Sequence, residues 1–322
     1  MAENRNIALD IAKGIGILLV IVGHTAGMKH ICQELIYSFH MPLFFIIAGY
    51  LYHRQDIKTL FVKSAKRLLL PWIVALCLQA LLCLLLGNKL EAWGYVQSVL
   101  FPDGTRDDNM LWAGIHSSGA VWFLPALFWC RIIYAMIEQR MGSRSIYVTI
   151  PSTIAAVLMG RFVLNLPFAI QMGCSALVFY EIGYRAKCYN ALEKKMPLWS
   201  MLLFVPVWIF YERYVTFEMF WYQYEWTYSI DVIVACAVTY ILVKLCSKTT
   251  NVINKTQGGV FAYLGRNSIY ILCTHTLMLI VMGYLNTMLQ WNAWAVMLIN
   301  MCLSVLLAVV YVKVKERVVC RH

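Results

Sequence analysis

Apolar stretches of about 17–25 residues, separated by short polar connections, recur along the whole chain. An α-helix needs about that length to cross roughly 30 Å of hydrocarbon. The stretches are continuous rather than alternating, which argues against a membrane β-barrel. The pattern predicts helices over 7–28, 32–52, 68–86, 119–139, 146–162, 167–186, 197–215, 227–246, 260–285 and 292–312. The expected fold is therefore all-α, a polytopic integral membrane protein of about ten transmembrane helices. It is read as one domain over residues 1–322, with no internal repeat and no second soluble domain. The first stretch holds Asp10 and Lys13 within it and no small-residue cleavage motif follows, so it reads as a retained helix and not a signal peptide.

Composition agrees with this. Of 322 residues, 61% are hydrophobic and 13% charged, against about a quarter charged in soluble domains. The net charge of +11 would suggest nucleic acid in a soluble chain, but the cations sit where topology places them. Arg54, Lys58, Lys63, Lys66 and Arg67 share one connection, Arg185, Lys187, Lys194 and Lys195 another, and Lys313, Lys315, Arg317 and Arg321 the C-terminal end. The alternate connections hold only Lys29, Lys89, Arg106, Arg161 and Arg213. By the positive-inside rule, the crowded connections and both termini are cytoplasmic, in the cytoplasmic (inner) membrane. Residues 56–67 read as an amphipathic helix on the cytoplasmic surface, in contact with membrane lipid.

The chain has 11 cysteines but no C-x-x-C pair, and most of them lie in apolar stretches as small buried hydrophobes. Three histidines with carboxylates would suit a metal by residue type, yet no H-E-x-x-H or tight spacing supports one, and no metal is expected. The opposite-side connections are aromatic and acidic. The 87–118 loop carries Glu91, Trp93, Tyr95 and Trp112, and the 212–226 loop carries Glu212, Glu218, Trp221, Tyr222, Tyr224 and Trp226. Such a surface suits either an interfacial belt or a carbohydrate platform.

Ionisable groups at membrane depth are costly and point to function. Asp10, Lys13, His24, His40, Arg131, Glu181, Asp231, Arg266 and His275 all fall inside the predicted helices. Lys13 and His24 lie about three helical turns apart, on the same side of the first helix and roughly 16 Å apart along its axis. Asp10 lies one turn from Lys13 and can pair with it. Matching helix directions gives an outer layer of His24, His40, His275 and Asp231 and an inner layer of Asp10, Lys13, Arg131, Glu181 and Arg266. Cations at the inner level suit the phosphates of a cytoplasmic donor. Imidazoles at the outer level suit deprotonation of a hydroxyl, with a carboxylate such as Asp231 orienting one ring. Proton-relay chemistry in a transporter or flippase for a glycan or small anion is the alternative, although no inverted repeat is evident.

Several segments resemble the acyltransferase-3 family of membrane acyltransferases. Residues 5–24, RNIALDIAKGIGILLVIVGH, match the family's first helix, in which a basic residue precedes a histidine at the spacing of Lys13 and His24. SFHMPLFFIIAGYL at 38–51 is similar to the second helix of the fucose 4-O-acetylase-like branch. Trp122-Phe123-Leu124, Phe179–Tyr184, and Leu264–Tyr270 with His275 match in order. The resemblance implies a ten-helix core that moves an acyl group, usually acetyl from acetyl-CoA, onto a sugar of a surface glycan. It implies that His24 is catalytic and Lys13 its basic partner. The expected roles are then His24, His40, His275 and Asp231 in catalysis and Lys13, Asp10, Arg131, Arg266, Lys63 and Arg67 toward acetyl-CoA. Trp122, Glu181, Trp221 and Tyr222 are expected toward the acceptor. The expected partners are acyl-CoA, a glycan or lipid-linked sugar, and membrane lipid, with room for a homodimer and none for nucleic acid.

Overall fold

The computed structural model describes residues 6–25, 30–105, 114–162, 166–194, 197–215, 217–219, 223–224, 227–252 and 259–319. Every predicted apolar segment is helical there. Five are single rods over their described residues: α7 Phe123–Met141, α8 Ile146–Phe162, α11 Leu198–Glu212, α12 Tyr228–Val252 and α15 Ala293–Val319. The first, α1, covers Ile7–Gly23 and is shorter than expected. Among the described residues six helical runs are long and apolar enough to cross a membrane. Among the described residues the strands are two of two residues each, β1 Phe217–Glu218 paired antiparallel with β2 Gln223–Tyr224.

Three predicted segments are broken, each at a nameable point. The 32–52 segment divides into α2 His30–Tyr37 and α3 His40–Tyr50. Between them, Ser38 donates to the Leu35 carbonyl and receives the Trp208 indole N–H from α11 at 3.0 Å. The 167–186 segment divides at Ala176 into α9 Ile170–Ser175 and α10 Leu177–Cys188, and the 260–285 segment at Asn267 into α13 Gly259–Arg266 and α14 Ser268–Leu289. Asn267 folds its amide back onto the Tyr263 carbonyl at 3.0 Å, a local bond that competes with the helical ladder.

The expected surface helix at 56–67 is not a separate element. Asp56 caps α4, Ile57–Ser64, by accepting from the Thr59 N–H at 2.9 Å, and those bonds hold its carboxyl below the usual range. The helix then runs through a π turn at Ala65–Leu69 into α5, Leu70–Leu85, as one rod. Pro71 has no N–H to offer the Arg67 carbonyl, and the ladder widens just before it. In the next connection, a short α6 covers Lys89–Gln97, capped by Asn88.

Small residues set the tightest packing. A Cβ on Gly265 of α13 would overlap the Asp10 carbonyl of α1, and one on Gly14 would overlap the Phe261 carbonyl. Gly49 of α3 and Gly183 of α10 meet the opposing backbones of Tyr180 and Ile46 in the same way. Backbones this close gain dispersion contacts where lipid supplies no hydrophobic drive for helices to associate.

Candidate active site

α1 ends at His24. The Gly23 carbonyl, left without a helical partner, accepts from the Tyr37 hydroxyl at 2.9 Å and the Gln33 amide at 3.1 Å. These bonds tie the end of α1 to α2, and α3 follows with His40 at its first position. α14 brings in His275, which is 0% exposed. The His24 ring centroid stands 5.6 Å from that of His275, 6.3 Å from His40 and 5.8 Å from Tyr37. Three histidines distant in sequence thus meet at one end of the molecule.

Their hydrogen bonds give them different tautomers. His24 Nδ1 lies 2.8 Å from the Val20 carbonyl and His40 Nδ1 2.9 Å from the Ile36 carbonyl. A carbonyl only accepts, so both Nδ1 atoms carry hydrogen and each neutral ring keeps a lone pair on Nε2. At His275 the arrangement is reversed. Asn300 of α15 accepts from the Ser304 hydroxyl through Oδ1 (3.0 Å) and turns its NH₂ toward His275 Nδ1 (3.3 Å). That nitrogen must accept, which leaves the hydrogen on Nε2, a buried donor with no partner. Two bases and one donor therefore lie close together, with the His275 ring packed against that of His24.

His24, Tyr37, His40, Ser117, Gly119 and Trp122 line a cavity of about 300 Å3 together with Met41, Ala120 and Met219. The loop carrying Ser117 is fixed at its base, where the Pro102 carbonyl accepts from both Ser118 N (2.9 Å) and Ser118 Oγ (2.7 Å). A second, constricted gap of about 20 Å3 shares Met41 with this cavity and is walled by Ile17, Val20, Phe44, Phe123, Leu124 and Leu272. Lys13, Ile17, Val20 and His24 fall on one face of α1, so the narrow gap lies along the face that joins Lys13 to His24.

The other expected residues are placed as follows. Lys13 Nζ pairs with Asp10 at 2.7 Å. Arg131 is half-buried on α7 with its Nε unpartnered, and Arg266 is half-buried in the last turn of α13. Lys63 and Arg67 line a groove of about 640 Å3 with Lys66 and Lys315, against Tyr270 and the apolar sides of α5 and α14. Glu181 is buried and occupied: Arg185 Nε donates at 2.6 Å and Ser145 Oγ at 2.9 Å. Asp231 accepts from Tyr211 at 2.7 Å and Thr227 at 3.3 Å, and His24 is oriented by its own helix carbonyl rather than by a carboxylate. Trp221 and Tyr222 lie outside the described residues, while Met219 of the same loop reaches the histidine cavity. Among the described residues no group of three His, Cys, Asp or Glu has the geometry to hold a metal.

Tyr37, Gly119 and Asn300 were not anticipated from sequence. Asn300 had a legible signal, a lone amide inside an apolar stretch. Tyr37 and Gly119 had none, because their place depends on how α2 and the chain around Gly119 pack against α1 and α14.

No solved structure matches the chain. It is 30% identical over 169 residues to "Nodulation protein NolL" of Mesorhizobium japonicum, an overlap covering 48% of this chain and 41% of that protein. It is 36% identical over 86 residues to "Nodulation protein NolL" of Sinorhizobium fredii, covering 22% of this chain and 24% of the relative. The chain thus spans less than half the length of either relative. The family profile described as "Acyltransferase domain" matches residues 6–313, from the cap of α1 into the last helix, and takes in all three histidines. The chain belongs to the acyltransferase-3 family.

Proposed function

We propose that the protein is a membrane O-acyltransferase that moves an acetyl or other short acyl group from cytoplasmic acyl-CoA to a hydroxyl of a glycan or lipid-linked sugar at the outer face of the cytoplasmic membrane. The observation that carries this reading is the trio of histidines in close ring contact: His24 and His40 line one cavity, each with a free Nε2 lone pair, and His275 packs beside His24 with an unpartnered Nε2–H.

The roles follow from those hydrogen positions. His24 Nε2 takes the proton from the acceptor hydroxyl as its oxygen attacks the thioester carbonyl. His275 Nε2–H donates to the oxygen on which negative charge builds, and burial in a water-poor site strengthens that bond. As the C–O bond forms and the C–S bond breaks, the His24 imidazolium returns its proton to the departing sulfur. The same lone pair also permits the other order of events, in which His24 first takes the acyl group itself. His40 contributes a second lone pair to the cavity, and Trp122 forms part of the wall that shapes it.

The donor's phosphates are assigned to the cations away from the histidines: Lys13, held by Asp10, with Arg131 and Arg266, and the basic mouth of the groove at Lys63 and Arg67. The narrow apolar gap beside Ile17 and Val20, on the face of α1 between Lys13 and His24, marks the path for a thin thioester arm. In this reading the chain crosses the membrane about ten times, with both termini cytoplasmic.

The test is acetyl-CoA binding and thiol release by the purified protein in detergent. Lys13→Ala is expected to weaken binding, and His24→Ala to bind but lose transfer by roughly 10²–10⁴-fold. Full transfer by a folded His24→Ala protein overturns the mechanism. Failure of the folded wild type to bind any acyl-CoA overturns the donor.

A further inference from the structure

A larger cavity of about 710 Å3 adjoins the histidine cavity, and Gly119 lines both. It lies between α5, α6 and α14, at the end of the bundle where His24 sits. Among the described residues its lining includes no lysine, arginine or histidine. Its walls carry neutral polar groups and one carboxylate: the Gln79 amide, the hydroxyls of Thr276 and Thr287, the side chain of Tyr95, and Asn88 bonded to Glu91, which also pairs with His116. Gln79 is 1% exposed, yet its Oε1 has no partner, a costly state for a buried acceptor unless something supplies a donor. Thr276 follows His275 directly in sequence, and its hydroxyl donates to the Cys273 carbonyl, so its oxygen lone pairs remain to receive a donor.

We propose that this cavity is the binding site for a neutral saccharide, the acceptor of the transfer. The assignment rests on the acyltransferase reading above. A polyhydroxylated molecule supplies the donor that Gln79 lacks and one that Thr276 can accept, and an aromatic side chain gives a sugar ring a face to pack on. An anionic ligand such as a nucleotide or CoA meets no lysine or arginine among the described lining residues and faces Glu91. The volume falls within the roughly 300–1,000 Å3 common to small-molecule sites. Past Gly119, one hydroxyl of a bound sugar enters the space that His24 lines. The acceptor is thus gripped by α5, α6 and α14, and not primarily by the aromatic 212–226 loop.

Gly283 makes the site testable without disturbing its walls. It lines the cavity within α14, and an added Cβ would meet nothing within 4 Å. Gly283→Phe therefore fills the cavity while improving the helix propensity of the position. Binding of a neutral panel (glucose, L-fucose, chitotetraose) and of glucose 6-phosphate is followed by ligand-induced thermal shift, with acetyl-CoA measured separately. The expected result is that the wild type binds a neutral saccharide in preference to the phosphate. Gly283→Phe and Gln79→Ala should each bind it at least about tenfold more weakly, with acetyl-CoA affinity retained. Wild-type saccharide affinity in Gly283→Phe, or no neutral saccharide bound by the wild type, overturns the proposal. Saccharide binding with no acyl-CoA binding leaves the cavity assignment standing and removes the acyltransferase reading.

Discussion

At the scale of single residues, the chemistry depends on where three imidazoles carry their hydrogens. Asn300 is the lever, because it alone makes His275 differ from His24 and His40. Asn300→Asp replaces a donor by an acceptor, moves the His275 hydrogen to Nδ1 and removes the donor from Nε2. Asn300→Leu leaves Nδ1 unpaired. Both variants are expected to lose roughly 10–100-fold in kcat, the usual cost of disturbing a residue that orients a functional histidine. The donor KM should stay near wild type, which steady-state kinetics on acetyl-CoA would establish, and equal activity in Asn300→Asp would refute the tautomer assignment. Glu181 behaves differently. With Arg185 and Ser145 on its carboxylate, Glu181→Ala is expected to cost about 2 kcal/mol of stability by stranding its partners. A lowered unfolding temperature with unchanged acceptor KM is the predicted signature, and the reverse pattern would make Glu181 a substrate ligand.

Elements place these residues through their ends and their bare faces. α1 stops at His24, and α2 fixes that end through Tyr37 and Gln33 on the Gly23 carbonyl. The opposite stretch of α1 is clamped to α13 by Gly14 and Gly265, which let the backbones touch. Gly265→Val has no room and is expected to cost about 1–3 kcal/mol or more by overpacking. Since that clamp adjoins Asp10 and Lys13, acetyl-CoA affinity should fall together with thermal stability in a detergent melt. A Gly265→Val protein as stable as wild type would mean that α1 and α13 pack less closely than described.

For the whole molecule, the proposed orientation makes a separate prediction. A reporter fused after residue 319 should behave as cytoplasmic, so a C-terminal fluorescent protein should fluoresce and a C-terminal alkaline phosphatase should be inactive. The opposite result would invert the sidedness and place the donor groove at Lys63 and Arg67 on the wrong face. The long rods and the broken segments divide the work: α12 and α15 supply length, while the breaks at Ser38, Ala176 and Asn267 interrupt the neighbouring segments. The break at Ser38 allows His40 to start a new helix beside His24.

The helical segments were legible in the sequence because burying a backbone in hydrocarbon forces continuous apolar helices, and length alone then marks them. Lys13 and His24 were legible as a pair because a single helix fixes their shared face by its own period. Depth along each helix followed from residue rise, which set His24, His40 and His275 at one level. Which side chains meet at that level depends on the rotation and spacing of separate helices, and those are set by packing at Gly14, Gly49, Gly183 and Gly265. Only the tertiary structure could therefore bring the three rings together, give Asp231 to Tyr211 and Glu181 to Arg185, and supply Asn300 to His275. The breaks at Ser38 and Asn267 were hidden for the same reason, since a side chain folding back or an indole from another helix leaves no trace in hydropathy.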